Sequence, residues 1–387
     1  MKTRVAYLGV KGLPSKSGTE RVIEAVATRL AHEFDITVYC GADYTPAETH
    51  YEGIRLIRIQ TLKGKHLKPV SLNILSALHA FFFGRFDLIH MNGVENCFTL
   101  PLLKLRYRII STSHGNPGRL PANKWNSFDR FVLRLMEYPF LYVSDCPTVV
   151  SPMDRDDFKD RYKKEIAYIP NGVDVEPQID QEAALQFLED FRLVPNGFLL
   201  FIAGRMIERK GCHLLLEAVN ELALDMPVVV IGDMEHASIY GQKLRQLAEN
   251  RNVIFIPPIE ERPKLFGIMA LCKLFIFPST SEGMSMILLE AASLGVPMIC
   301  SDIPENKAVL GDHVTYFRSE SVADLAEKIL WGIKNGEKLS ALEGPLKEWV
   351  EENFSWDRIA LQYEHIYDQV SHREEASSKK QPGKGSL

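Results

Sequence analysis

Short apolar runs alternate with longer amphipathic stretches along almost the whole chain. This alternation predicts βαβ units built on parallel sheets. In the first half, the pattern predicts strands at 5–10, 36–40, 54–59, 87–91, 108–113, 148–151 and 167–170. Helices at 19–33, 71–83 and 124–143 lie between them. Residues 171–196 are acidic and carry Pro177 and Pro195, which reads as a linker. A second series then begins, with strands at 198–203, 228–232, 253–257, 274–278, 298–301 and 314–317. Its helices fall near 211–224, 238–250, 263–272, 285–294 and 323–334. Two successive doubly wound α/β domains follow from pattern alone. Ligands of such sheets lie beyond the carboxyl ends of the strands, so the cleft between the domains is the expected site. Trp356, Ile359, Ala360, Tyr363, Ile366, Tyr367 and Val370 recur at helical spacing and need a surface to pack on. Residues 373–387 are polar, basic and hold proline and glycine, the composition of a disordered tail.

Composition narrows the class. The 387 residues suffice for two domains, and 46% hydrophobic with 25% charged residues is ordinary for a globular protein. A net charge of −5 argues against a dedicated nucleic-acid binder. Six cysteines (Cys40, Cys97, Cys146, Cys212, Cys272 and Cys300) are scattered without a C-x-x-C pair, as expected of reduced intracellular thiols. No signal peptide and no apolar run long enough to span a bilayer is visible, so a cytoplasmic protein is expected.

The chemistry concentrates in a few segments. Glu282 and Glu290 are separated by seven residues, with Gly283 and Met284 between loop and helix. A loop entering a helix start offers backbone N–H groups and a dipole end to an anion, while flanking carboxylates accept from hydroxyls. A nucleotide-sugar has that layout: ribose hydroxyls, diphosphate, sugar hydroxyls. Glu290 lies in an otherwise apolar helix, where a buried carboxylate needs a partner, either a protein group or a ribose diol. Arg205 and Lys210 follow the first strand of the second domain and suit a diphosphate, one as a fork and one as a point charge. Arg209 reads as a surface cation. Gly12 and Gly18 belong to a flexible glycine-bearing loop after the first strand, and this loop is not a dinucleotide fingerprint. His114 ends the fifth strand on the same rim, where a satisfied structural histidine is the competing reading. The acidic run from Asp154 to Asp157 reads as helix capping rather than a metal motif. No set with metal-ligand spacing and no G-x-S-x-G elbow is present.

Taken together, these motifs resemble the retaining glycosyltransferases of family 4, over about residues 1–370. The resemblance rests on Glu282 and Glu290 followed by the 291–297 segment AASLGVP, on Gly204-Arg205 with Lys210-Gly211, and on Ile169 to Asp174. The stretch from Ser113, His114 and Gly115 through Lys124-Trp125 to Glu137 looks like a subgroup linked to cell-surface polysaccharide assembly. The resemblance implies a GT-B fold: residues 1–172 form an acceptor-side domain, 173–355 form a nucleotide-sugar domain, and a helix at 356–372 crosses back to the first. It implies that Glu290 holds the ribose, Glu282 and His114 meet the donor sugar, and Arg205 and Lys210 bind diphosphate with the amides near Gly283 and Met284. The loop around Gly12 and Gly18 would border the diphosphate. It further implies a hexosyl donor, UDP-linked by default, no metal requirement, no assigned protein nucleophile, and a glycan or lipid-linked acceptor. Ser17-Gly18 and Gly283-Met284-Ser285 depart from the family's paired glycine and Gly-Phe-Gly, which bears on the donor sugar rather than the reaction type.

Two alternatives share the architecture: a sugar-nucleotide 2-epimerase and a catalytically silent scaffold. The membrane question has two readings as well. Lys63, Lys65, His66 and Lys68 precede the apolar 71–83 helix, and Lys104, Arg106 and Arg108 lie further on. Such a surface docks on the anionic inner face of a membrane, or else the helix is a core element with solvated flanks.

Overall fold

The computed structural model describes residues 2–15, 17–64, 67–115, 127–234, 238–249 and 251–371. They fall into two compact units, Met1–Asn171 with Trp356–Leu387, and Gly172–Ser355. The first unit runs β1 (Arg4–Leu8), α1 (Gly18–Leu30), β2 (Asp35–Gly41), β3 (His50–Tyr51), β4 (Ile54–Ile59) and α2 (Leu67–Phe83). Then come β5 (Leu88–Asn92), a 3-10 turn over Val94–Thr99, α3 (Leu100–Leu103) and β6 (Arg108–Ser113). α4 (Ser127–Tyr138), β7 (Cys146–Val149), α5 (Pro152–Tyr162) and β8 (Ala167–Tyr168) follow. The second unit holds α6 (Gln181–Asp190), β9 (Leu199–Arg205), α7 (Cys212–Glu221), β10 (Val228–Asp233), α8 (Ser238–Leu247) and β11 (Val253–Ile256). It continues through α9 (Arg262–Ala270), β12 (Leu274–Phe277), α10 (Met286–Ser293), β13 (Met298–Ser301) and α11 (Pro304–Leu310). β14 (Thr315–Phe317), α12 (Val322–Lys334), α13 (Gly336–Ser340) and α14 (Glu343–Phe354) complete it, and α15 (Trp356–Ser371) returns to the first unit.

The first sheet has the order β3-β4-β2-β1-β5-β6-β7-β8, and every pair is parallel except β3 with β4. The second is parallel throughout, in the order β11-β10-β9-β12-β13-β14. Helices cover both faces of such sheets, so the inner strands read as unbroken apolar runs. Val5–Leu8 and Val228–Ile231 are wholly buried for this reason. In each sheet the first strand has its sequence successor on one side and a later strand on the other. These switch points lie between β1 and β5, and between β9 and β12.

The expected linker at 171–196 contains a helix instead. Asp180 caps α6 by accepting from the Ala183 amide at 2.9 Å. Ala184, Phe187 and Leu188 are buried against α9, where Gly267 leaves room for Ala184. Acidic residues fill the exposed face of α6 and gave the stretch its linker look. The helix expected at 124–143 also divides. α4 stops at Tyr138 and a π turn covers Pro139–Val143, because proline supplies no N–H to continue the ladder. Residues 124–126 and the tail from 372 lie outside the described residues.

The stripe at 356–370 packs within the first unit, against α1, β5 and β6. Beneath it the sheet carries polar side chains. Tyr367 Oη lies 2.5 Å from Tyr7 Oη and 2.6 Å from His90 Nδ1. His90 Nε2 reaches Thr112 Oγ1 at 2.7 Å, and that hydroxyl reaches Thr148. Burial pushes His90 down to about 3, so its ring is neutral.

Candidate functional site

The second unit assembles its chemistry at the β9–β12 switch point. β9 ends at Arg205, and a 3-10 turn over Glu208–Lys210 leads to Gly211 and α7. Gly211 has φ +74°, and a Cβ there would sit 2.0 Å from the Pro278 carbonyl oxygen. Only glycine allows this approach, which draws the 209–210 turn onto the 279–282 loop. The Thr280 amide then donates to the Arg209 carbonyl at 2.8 Å.

Across this junction Lys210 Nζ donates to Glu282 Oε1 at 2.6 Å. Ser279 Oγ also donates to Glu282, and Arg209 stands 3.6 Å from its other oxygen. Burial opposes the charge on Glu282, but Lys210 and Arg209 outweigh it and hold the carboxyl below its usual range. Arg209 is therefore not a free surface cation. It is three-quarters buried and donates to the Ser281 carbonyl at 2.7 Å, fastening the loop. Sequence spacing gave no signal for this, because a residue in a one-turn 3-10 helix has no periodicity to read.

Arg205 behaves differently. It is exposed, and among the described residues no ion pair or side-chain hydrogen bond holds it. Gly204 before it has open space around it. Glu290, in the second turn of α10, is buried and ion-paired with Arg262 at the start of α9. Arg262 also lies over the Phe266 ring, 4.8 Å from its centroid. Its role was not legible in sequence, since α9 and α10 are brought together only by the fold. Gly283 is half-buried and Met284 buried, ahead of an α10 N-terminus whose Ser285 hydroxyl does not fold back as a cap. Lys210 and Glu282 are thus in contact, Glu290 is engaged with a different cation, and Arg205 stands unpaired at the strand end.

The first unit gathers a second group at its own switch point. Gly9, with φ +80°, lets the loop after β1 pass the Asn92 carbonyl at the end of β5. Gly12 is pressed against Tyr44, where a Cβ would come within 2.8 Å of the carbonyl oxygen, so packing alone demands it. Gly18 is the first residue of α1. Far from hanging free, the loop is pinned by two carboxylates: Glu20 accepts from the Lys11 amide at 3.4 Å and from Ser17 Oγ, and Glu24 accepts from the Ser15 amide and hydroxyl. Lys16 lies outside the described residues. His114 follows β6, with Nε2 3.1 Å from Asn92 Oδ1. Burial pushes it down to about 4.

Other candidates resolve into structure. Asp154 is buried in the first turn of α5, while Asp156 pairs with Arg155 and Asp157 with Arg161. Glu137 is buried and accepts from Arg161 and Tyr162. Among the described residues no three His, Cys, Asp or Glu side chains are placed to hold a metal, and no helix is long and apolar enough to cross a membrane. α2 is neither wholly core nor wholly solvated. It buries Leu72, Ala77 and Ala80 and exposes Val70, Ile74, Leu78, Phe82 and Phe83. Lys65 and His66 before it lie outside the described residues, as do Lys124 and Trp125.

The model described as Glycosyltransferase Family 4 matches residues 16–177, and that described as Glycosyl transferases group 1 matches 187–344. The chain belongs to the family 4 glycosyltransferases. Among its relatives is the O-antigen biosynthesis glycosyltransferase WclY of Escherichia coli, 26% identical over 95% of this chain and 98% of that protein. Another is the UDP-Gal:alpha-D-GlcNAc-diphosphoundecaprenol alpha-1,3-galactosyltransferase of Escherichia coli, 24% identical over 82% and 84%. Among solved structures, HepE of Anabaena in complex with UDP and glucose superposes with a TM-score of 0.78 at 15% identity, covering 95% of this chain and 100% of that one. Sucrose-phosphate synthase of Thermosynechococcus elongatus gives 0.77 at 18%, covering 95% and 99%. The fold of this family 4 glycosyltransferase is GT-B.

Proposed function

We propose that this glycosyltransferase moves a hexosyl group, with retention, from a nucleotide-diphosphate-sugar to a hydroxyl of a lipid-linked or glycan acceptor in polysaccharide assembly. The Lys210–Glu282 junction beside the unpaired Arg205 carries this reading. Arg205 meets diphosphate oxygens, Lys210 exchanges Glu282 for phosphate, and the freed carboxylate accepts a sugar hydroxyl. Glu290 takes the ribose diol. His114 meets the sugar, and the departing diphosphate is stabilised by these cations and the α10 N-terminus, without a required metal. Two relatives' names support the biosynthetic setting: O-antigen assembly for WclY, and a UDP-galactose donor with a diphosphoundecaprenol acceptor for the galactosyltransferase. UDP is the default base. An acceptor on a lipid suits the exposed apolar face of α2, which we place at the inner face of a membrane.

The purified chain screened against a panel of nucleotide-sugars, by thermal shift and slow donor hydrolysis, tests the proposal. One nucleotide-sugar should raise the melting temperature and be hydrolysed. Interconversion of the sugar without an acceptor would make the chain an epimerase instead, and no nucleotide binding at all would make it a silent scaffold.

A further inference from the structure

At the first unit's switch point, one buried amide dictates the chemistry of one imidazole. Asn92 Nδ2 donates to the Leu8 carbonyl at 3.2 Å and to the His90 carbonyl at 3.4 Å. Carbonyl oxygens only accept, so the amide nitrogen must face them. Turned over, the side chain would set its own oxygen against both. Asn92 Oδ1 is thereby aimed at His114 Nε2, 3.1 Å away. An amide oxygen cannot donate, so Nε2 must carry the hydrogen. In a neutral ring, Nδ1 is then a bare acceptor. That atom is buried and has no hydrogen-bond partner among the described residues. His90, two residues before Asn92 on the same strand, contrasts with it, since both of its nitrogens are engaged. A buried acceptor without a partner is costly, and native structures rarely keep one without a reason.

We propose that Asn92 is a positioning residue that locks His114 in its Nε2–H tautomer, so that Nδ1 accepts a hydrogen bond from a hydroxyl of the saccharide. The use of the lock rests on the sugar-facing role given to His114 above, but the lock itself does not. A protonated or oppositely locked histidine would offer N–H at this position and favour an acceptor group. The locked ring instead demands a hydrogen-bond donor from its ligand. Sugar analogues with hydrogen or fluorine in place of that hydroxyl cannot supply one.

The test is nitrogen-15 spectroscopy of the histidine-labelled full chain, with His114→Gln assigning the signal. In the unsubstituted protein at neutral pH, His114 should show a protonated Nε2 and a bare Nδ1. The reverse tautomer, or a protonated ring, overturns the proposal. In Asn92→Leu, a folded protein should lose the preference, and an unchanged tautomer there also overturns it. Because the unsubstituted spectrum decides the tautomer alone, a variant that fails to fold does not rescue the idea. Affinity separates the two layers. The best-binding nucleotide-sugar of the panel should lose about tenfold in Asn92→Leu, while the bare nucleotide is unaffected. A lost tautomer preference with sugar affinity intact would overturn the sugar-facing role of His114 and leave the lock standing.

Discussion

Glu282 and Glu290 solve the same problem, a carboxylate taken out of water, with different cations. Lys210 and Arg209 serve the first, and Arg262 serves the second. Replacing Glu290 with alanine should weaken nucleotide binding by about ten- to a hundredfold, as expected for hydrogen bonds to a charged group. Glu282→Ala and His114→Ala should chiefly lower turnover. Calorimetry and initial rates together check both, and full activity in all three variants would refute the assignment. Arg262→Ala leaves Glu290 buried without its cation and should cost about 1–3 kcal/mol of stability. Adding Glu290→Gln should recover most of that loss in a denaturant melt. At this scale Glu290 was legible as a carboxylate in an apolar helix that needs a partner, while Glu282 stood out by its place just ahead of that helix. Their cations were less so. Lys210, expected to meet phosphate, also contacts Glu282, a pairing that spacing did not announce, and Arg209 and Arg262 acquire their roles only when separate segments meet.

Elements were easier to read than contacts. The parallel strands stood out because burial on both faces leaves them uniformly apolar, and the longer amphipathic helices kept their period. Most pieces that escaped are short or interrupted: β3, the Val94–Thr99 turn, α3, α11, α13 and the Pro139–Val143 turn, none long enough to show a repeat. α14 escaped as well, although Leu346, Val350 and Phe354 are buried at helical spacing along it. α6 escaped for another reason, since its exposed acidic face outweighed a three-residue apolar stripe. The junction of the two loops in the second unit depends on Gly211, and this can be checked. Gly211→Ala should cost on the order of 2 kcal/mol or more, by clash with the Pro278 carbonyl and by strain at positive φ, and should weaken nucleotide binding. Gly204→Ala, with open space around it, should change stability by less than about 0.5 kcal/mol. Melting curves of the two variants side by side decide the point.

Across the molecule, acid should unfold the protein through its buried histidines. His90 and His114 titrate near 3 and 4 when folded, below the ordinary histidine value. The unfolded chain therefore binds more protons between those limits, and stability must fall as pH drops from about 6.5 toward 4. Urea melts at pH 7, 5.5 and 4.5 should show steadily lower midpoints, and flat midpoints would contradict the burial of both rings. The proposed membrane face makes a separate claim. The chain should co-sediment with vesicles rich in anionic lipid, less so at high salt, and lose binding in Phe82→Glu with Phe83→Glu.

The return of α15 to the first unit has a consequence for how the chain is born. Tyr363 and Tyr367 roof the polar seam formed by Tyr7, His90 and Thr112, yet they are synthesised only after the whole second unit. While the ribosome makes the second unit, the first waits with that seam open to water. A fragment ending at Ser355 would keep it so, and should behave as an incomplete body prone to self-association. Completion of the first unit is thus timed by a helix made after the second, and insertions placed close after Ser371 should interfere at the moment of closure rather than afterwards.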